Sequence, residues 1–140
     1  MNLMARITEH PLDIRAHLTA VGDPRAGAVA TFIGLVRNHD SSVAGEVVVL
    51  EYSAHSDADA VLNRLATSAA VGHDVLAVAI SHRVGLSRVG EAAIVVAVAT
   101  AHRACAFEVC RRHVESVKAD LPVWKREVLA DGSHMWVGLT

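Results

Sequence analysis

Two residues, Lys118 and Lys125, are the only lysines in the sequence; apart from histidine, every other basic residue is arginine. An ammonium group can lose its proton where its surroundings disfavour charge, and a guanidinium cannot. Two lysines this close together in an arginine-biased chain point to proton transfer, with plain surface charges as the simpler alternative. Lys118 falls in what reads as the last turn of a helix, where the helix dipole favours a cation whatever its function. Lys125 follows Pro122 in an extended segment. Alternation there puts Lys125 and Glu127 on one face and Trp124 and Arg126 on the other. A lysine with a carboxylate neighbour and an aromatic wall is suited to proton transfer, while an exposed ion pair is the simpler reading.

The same helix has chemistry at its start. Helix N-termini present free N–H groups and the positive end of a dipole. With Thr100 as cap and His102 and Arg103 in the first turn, a phosphate or carboxylate pocket is expected there. The alternatives are that Arg103 pairs with a nearby acid or that the helix begins later. Arg37 leaves the end of an apolar strand and enters a loop, from which its guanidinium could reach the same anion; a solvated loop arginine is the plainer reading. His39 has a weaker version of the same case. The nine histidines include no HExxH and no close His/Cys cluster, so no metal site or resident cofactor is expected. The segment from Arg83 to Gly90 has two glycines but no phosphate-loop Lys-Ser/Thr, and reads as a turn-rich connection.

The elements that must position these groups can be read in order. Ala5–Thr8 is a weak strand. A helix is expected over Pro11–Val21, with Asp13 as cap and Leu12, Ile14, Leu18 and Val21 facing inward. Ala28–Val36 reads as a strand buried on both faces, with Gly34 marking a bulge or a close backbone approach. A polar loop from Ser41 to Gly45 and a strand over Glu46–Tyr52 would complete an antiparallel hairpin. A second helix spans His55–Val71, capped by Ser56 or Asp57 and ended by Gly72, with Val61, Leu62, Leu65 and Ala69 toward the core. Strands follow over Val75–His82 and Glu91–Thr100, the latter the most apolar. The third helix, from His102 to about Asp120, carries Phe107, Cys110, Val114, Val117 and Leu121 as its apolar stripe. Val123–Val128 and a short piece at Trp136-Val137 close the chain. The mixture of helices, strands and hairpins gives an α+β class with a mostly antiparallel sheet.

The chain has 140 residues, 52% of them apolar, and a formal net charge of −2. That fits one domain over 1–140. The charge gives no global basic field and argues against nucleic-acid binding. No apolar run is long enough to span a bilayer, and the N-terminus lacks a signal-peptide pattern. Cys105 and Cys110 lie on different sides of a helix and imply no disulfide, so a reducing cytoplasm is expected.

Taken together, Phe32-Ile-Gly-Leu-Val-Arg-Asn38, Leu50-Glu-Tyr52, His82-Arg-Val-Gly85, Ala101-His-Arg-Ala-Cys-Ala-Phe-Glu108 and Pro122-Val-Trp-Lys-Arg-Glu127 resemble the large, catalytic subunit of molybdopterin synthase. The resemblance runs from about Ala5 to Trp136. It implies an α/β-hammerhead fold with an additional, mostly antiparallel β subdomain. It also implies a homodimer within a heterotetramer, each large subunit binding a small ubiquitin-like sulfur-carrier subunit. The carrier's C-terminal thiocarboxylate would donate sulfur to cyclic pyranopterin monophosphate, building the dithiolene of molybdopterin for molybdenum cofactor biosynthesis. On this resemblance Lys118 and Lys125 are the catalytic residues. Arg37, His102 and Arg103 bind the substrate's phosphate and line the pocket, Phe32 walls it, and Glu127 sets Lys125. Some members carry a methionine at the position of Val114, and some an arginine beyond Trp136 that reaches the other subunit's site. Without that arginine, phosphate binding would lean more on Arg37 and Arg103, or on some other arginine. Two other functions stay open: a non-catalytic paralogue that only binds the carrier, and a stand-alone phosphoester-processing enzyme using the Arg/His pocket and a lysine.

Overall fold

A run as continuously apolar as Ala92–Thr100 is stable as a strand only if both of its faces are covered. The computed structural model, which describes residues 1–39 and 45–137, covers both. In chain order the elements are β1 (Asn2–Thr8), α1 (Ile14–Ala20), β2 (Ala28–Leu35), β3 (Val47–Ala54), α2 (Ala58–Ala70), β4 (Val75–Arg83), β5 (Gly85–Arg88), β6 (Ala92–Thr100), α3 (Arg103–Asp120), β7 (Val123–Leu129) and β8 (His134–Val137). They form two four-stranded sheets, ordered β1-β4-β6-β2 and β5-β3-β7-β8. Among the described residues the β1–β4 pair alone is parallel, and the other pairs are antiparallel. The α+β class and the mostly antiparallel pairing follow the expectation.

The first sheet separates a thick layer from a thin one. Val78, Ile80, Ile94, Val96 and Val98 point to the α2/α3 side and pack with Leu62, Leu65, Val109, Val114 and Val117. Ala77, Ala79, Ala97 and Ala99 point to the other side and meet Val21. Alternation of β-branched residues with alanine along β4 and β6 thus lets α1 sit close on one face while two longer helices stack on the other. A third cluster of Val36, Val47, Leu50, Ala93 and Leu129 joins the two sheets, with Tyr52 packed against it.

Several local expectations hold. The Asp13 side chain caps α1 by accepting from Ala16 N–H. Gly72 takes a positive φ of 81° just past α2, the left-handed geometry that ends helices. Register shifts between Gly34 and Leu35. A Cβ on Gly34 would stand 2.5 Å from Ile94 Cγ2, so the close backbone approach is real.

Others are corrected. β2 and β3 do not form a hairpin: they belong to different sheets, and β3 pairs with β5 and β7 instead. The connecting loop expected at Ser41–Gly45 falls almost wholly outside the described residues. β2 is an edge strand, with Val29 and Leu35 exposed, because only β6 flanks it. The connection read after Arg83 contains the strand β5, which pairs with β3. Helix α1 buries His17 rather than Leu18 or Ile14. His17 Nδ1 lies 2.6 Å from Asp13 O and Nε2 lies 2.7 Å from Ser81 Oγ, so a polar anchor replaces the apolar one. Phe107 is 68% exposed, and the inward stripe of α3 runs through Ala106, Val109, Cys110, His113, Val114 and Val117. The N-cap of α3 is His102, not Thr100; the Thr100 hydroxyl donates to His102 O from the buried end of β6.

Candidate active site

The two lysines come together because the chain reverses between them. Lys118 lies in the last turn of α3, which ends at Leu121 with its N–H on Val117 O. Pro122 lacks the N–H to continue the helix, and β7 starts one residue later. Lys125 is therefore carried back beside Lys118, opposite Tyr52 on β3.

Two adjoining cavities meet at these amines. One, of about 120 Å³, is lined by Gly34, Tyr52, His82, Lys118, Trp124 and Lys125 among others. The second, of about 220 Å³, is lined by Arg37, His39, Tyr52, Lys118, Lys125 and Glu127 among others. Lys118, Lys125, Tyr52 and Leu35 line both, so the amines stand on the shared wall. The alternation expected of β7 is present. Lys125 Nζ lies 3.4 Å from Glu127 Oε1, and that carboxylate is 1% exposed. On the opposite face Arg126 pairs with Glu51 at 3.1 Å and lies 5.9 Å from the centre of the Trp136 ring. Among the described residues, Arg37, Lys118 and Lys125 set three cationic side chains beside the carboxylate of Glu127, an arrangement suited to an anionic ligand.

Phe32 stands one layer behind the wall. A Cβ on Gly34 would lie 3.3 Å from its ring, so the ring backs the glycine that lines the first cavity. His102 and Arg103 are not brought to the lysines within one chain. They are exposed at the far end of α3, roughly 22 Å from Lys118 at 1.5 Å per helical residue. Neither lines either cavity.

Two residues that reach the site were given no role by sequence reasoning. Tyr52 separates the cavities, and burial, helped by the Glu127 carboxylate, raises the pKa of its phenol. His82 lies at the end of β4 with its ring edge-on to Tyr52, centroids 5.1 Å apart at 79°. Burial lowers its pKa and the nearby Lys118 charge adds to that, against an opposing contribution from its bond to Arg83 O. The signal for both was a polar ring inside an otherwise apolar strand. Among the described residues no group of three His, Cys, Asp or Glu is placed to hold a metal ion.

Comparison with known proteins decides the family. A family model described as MoaE protein matches residues 7–120. The molybdopterin synthase catalytic subunit of Thermoplasma volcanium is 36% identical over 140 residues, covering 97% of this chain and 98% of its own. The chain belongs to the MoaE family. Another relative of this MoaE chain, the molybdopterin synthase catalytic subunit of Bacillus subtilis, is 35% identical over 133 residues, covering 94% of this chain and 83% of its own. Molybdopterin synthase from Staphylococcus aureus superposes with a TM-score of 0.85 at 25% identity, over 94% of this chain and 95% of that one. A complex of subunits 1 and 2 of the Helicobacter pylori molybdopterin-converting factor superposes at 0.73 with 19% identity, over 96% and 89%; at that identity the likeness shows the fold alone. The matched region of the family model takes in Phe32, Arg37, His102, Arg103 and Lys118 of this MoaE chain. No helix among its described residues is long and apolar enough to cross a membrane.

Proposed function

We propose that this chain is the sulfur-transferring, catalytic subunit of molybdopterin synthase and acts in molybdenum cofactor biosynthesis. Its substrate is cyclic pyranopterin monophosphate, and sulfur arrives on the C-terminal thiocarboxylate of a small ubiquitin-like carrier subunit. The observation that carries this reading is the placement of Lys118 and Lys125 on one wall shared by two cavities, with Arg37 beside them and Glu127 in contact with Lys125. Membership of the MoaE family supports it.

The chemistry follows from charge. Each transfer forms a carbon–sulfur bond at a pterin carbon as a carbon–oxygen bond there breaks, and water then cleaves the carrier's acyl–sulfur bond, leaving a carboxylate on the carrier and the sulfur on the pterin. Lys118 orients the carrier's terminal carbonyl. Lys125, held by Glu127, stabilises charge and moves protons at the reacting pterin carbon. Arg37 holds the substrate's phosphate, whose ring the two transfers open. Sulfur is delivered from outside, so no cysteine of this chain need react. Cys110 is buried, and that pushes its thiol pKa up to about 11.

The test mixes the protein with thiocarboxylated carrier and cyclic pterin and follows dithiolene formation. Lys125→Ala should abolish turnover, and Lys118→Ala should lower it by a factor on the order of 10² or more, with both variants folded. Normal rates in both, or product without the carrier, would overturn the assignment.

A further inference from the structure

His82 is nearly buried yet lines the cavity that holds both lysines. Its Nδ1 lies 2.8 Å from Arg83 O. A carbonyl only accepts, so the proton sits on Nδ1 and Nε2 keeps its lone pair. Nε2 has no hydrogen-bond partner among the described residues, and it is not among the sealed, unpartnered atoms of the core. It therefore opens onto the cavity. The ring is fixed from one side by the edge contact with Tyr52. Its register neighbours Ile7 on β1 and Ile94 on β6 are apolar. The charged or titratable groups facing it are Lys118 from α3, Lys125 from β7 and Tyr52 from β3; Arg83, next on β4, turns to the opposite face and pairs with Glu91 at 3.4 Å. An oriented, uncharged imidazole beside a lysine pair, in a cavity about the size of a few waters, has the geometry of a general base.

We propose that His82 is a catalytic base of this site, accepting through Nε2 the proton of the water that releases the carrier from the sulfurated pterin. The inference rests on the sulfur-transfer reading above. Once sulfur has bonded to the pterin, carrier and pterin are joined by a thioester. The water oxygen bonds to the carrier's carbonyl carbon, and the carbon–sulfur bond to that carbon breaks, its electron pair leaving with sulfur. One water proton passes to Nε2 and on to the sulfur; the other leaves the new carboxylic acid for solvent. The products are the carrier carboxylate and a thiol on the pterin. Lys118, on the same wall, holds the carbonyl oxygen as charge builds on it.

His82→Gln keeps a donor for Arg83 O and removes the base. In a single-turnover assay with thiocarboxylated carrier and cyclic pterin, this variant should release carboxylate carrier about 10²-fold more slowly or worse. The carrier–pterin adduct should accumulate to a level detectable by intact mass, and carrier binding should be unchanged. His82→Ala should do the same and be partly rescued by added imidazole. Wild-type release by His82→Gln, slow turnover without adduct, or no imidazole rescue would each overturn the role. Lys118→Ala and Lys125→Ala in the same assay separate the two ideas. If they are inactive while His82→Gln is normal, only the base is lost; if they too are normal, the site reading itself fails.

Discussion

The imidazole of His113 is fully buried on α3, and neither ring nitrogen has a hydrogen-bond partner among the described residues. Desolvation lowers its pKa from 6.5 to about 4. The unfolded chain therefore binds a proton that the folded one refuses between those values. The stability this neutral ring permits is fully present above pH 6.5 and is lost as pH falls toward 4, by about 3 kcal/mol. His82 is shifted the same way and adds to the slope. His113→Leu should leave stability at pH 7 unchanged or raise it by about 1 kcal/mol, since it removes a buried, unsatisfied polar group. It should also flatten the acid slope in urea unfolding measured at pH 7 and pH 5. At this scale the sequence was readable where chemistry is local. Pairing of Lys125 with Glu127, and the placement of Arg126 on the other face, follow from strand alternation alone. His113 was not readable, because it falls on an apolar stripe that spacing assigns equally well to Phe107. Tyr52 and His82 were missed because β3 and β4 belong to different sheets, and only tertiary packing brings their rings together.

Helix α3 explains the largest gap between the expected and the observed site. Its 18 residues act as a rod, with His102 and Arg103 at one end and Lys118 at the other. No bend within one chain can close that distance. In the homodimer that the family resemblance implies, the start of α3 from one copy would have to complete the lysine site of the other for His102 and Arg103 to act there. A chain carrying His102→Ala and Arg103→Ala, mixed and reassembled with one carrying Lys125→Ala, should then recover about a quarter of wild-type activity. Half of the random dimers would be mixed, each with one intact site of two. If both residues act within their own chain, the mixture stays as inactive as its parts. Element existence was legible from periodicity nearly throughout; pairing was not. The apolar runs of β2 and β3 look like a hairpin because they are adjacent in sequence, yet the bulge at Gly34 and the Val36/Ala93 cluster turn the chain out of the first sheet before β3 begins.

On the scale of the whole molecule, the site occupies the junction where the two sheets meet. Gly34 and His82 reach it from the first sheet, and Tyr52, Lys125 and Glu127 from the second. Lys118 closes it from the end of α3. A chain with net charge −2 thus places three cations around one hollow, where an anionic substrate gains most from them. The family resemblance implied roles for these residues, and the sheet junction accounts for how the two lysines come to share a wall. The central claim is that these are amines able to release a proton, not merely positive charges. Lys125→Arg keeps the charge and removes that ability. In single-turnover sulfur transfer from thiocarboxylated carrier to cyclic pterin, the account predicts that Lys125→Arg binds the carrier normally and forms no dithiolene. Dithiolene formation at the wild-type rate would contradict it.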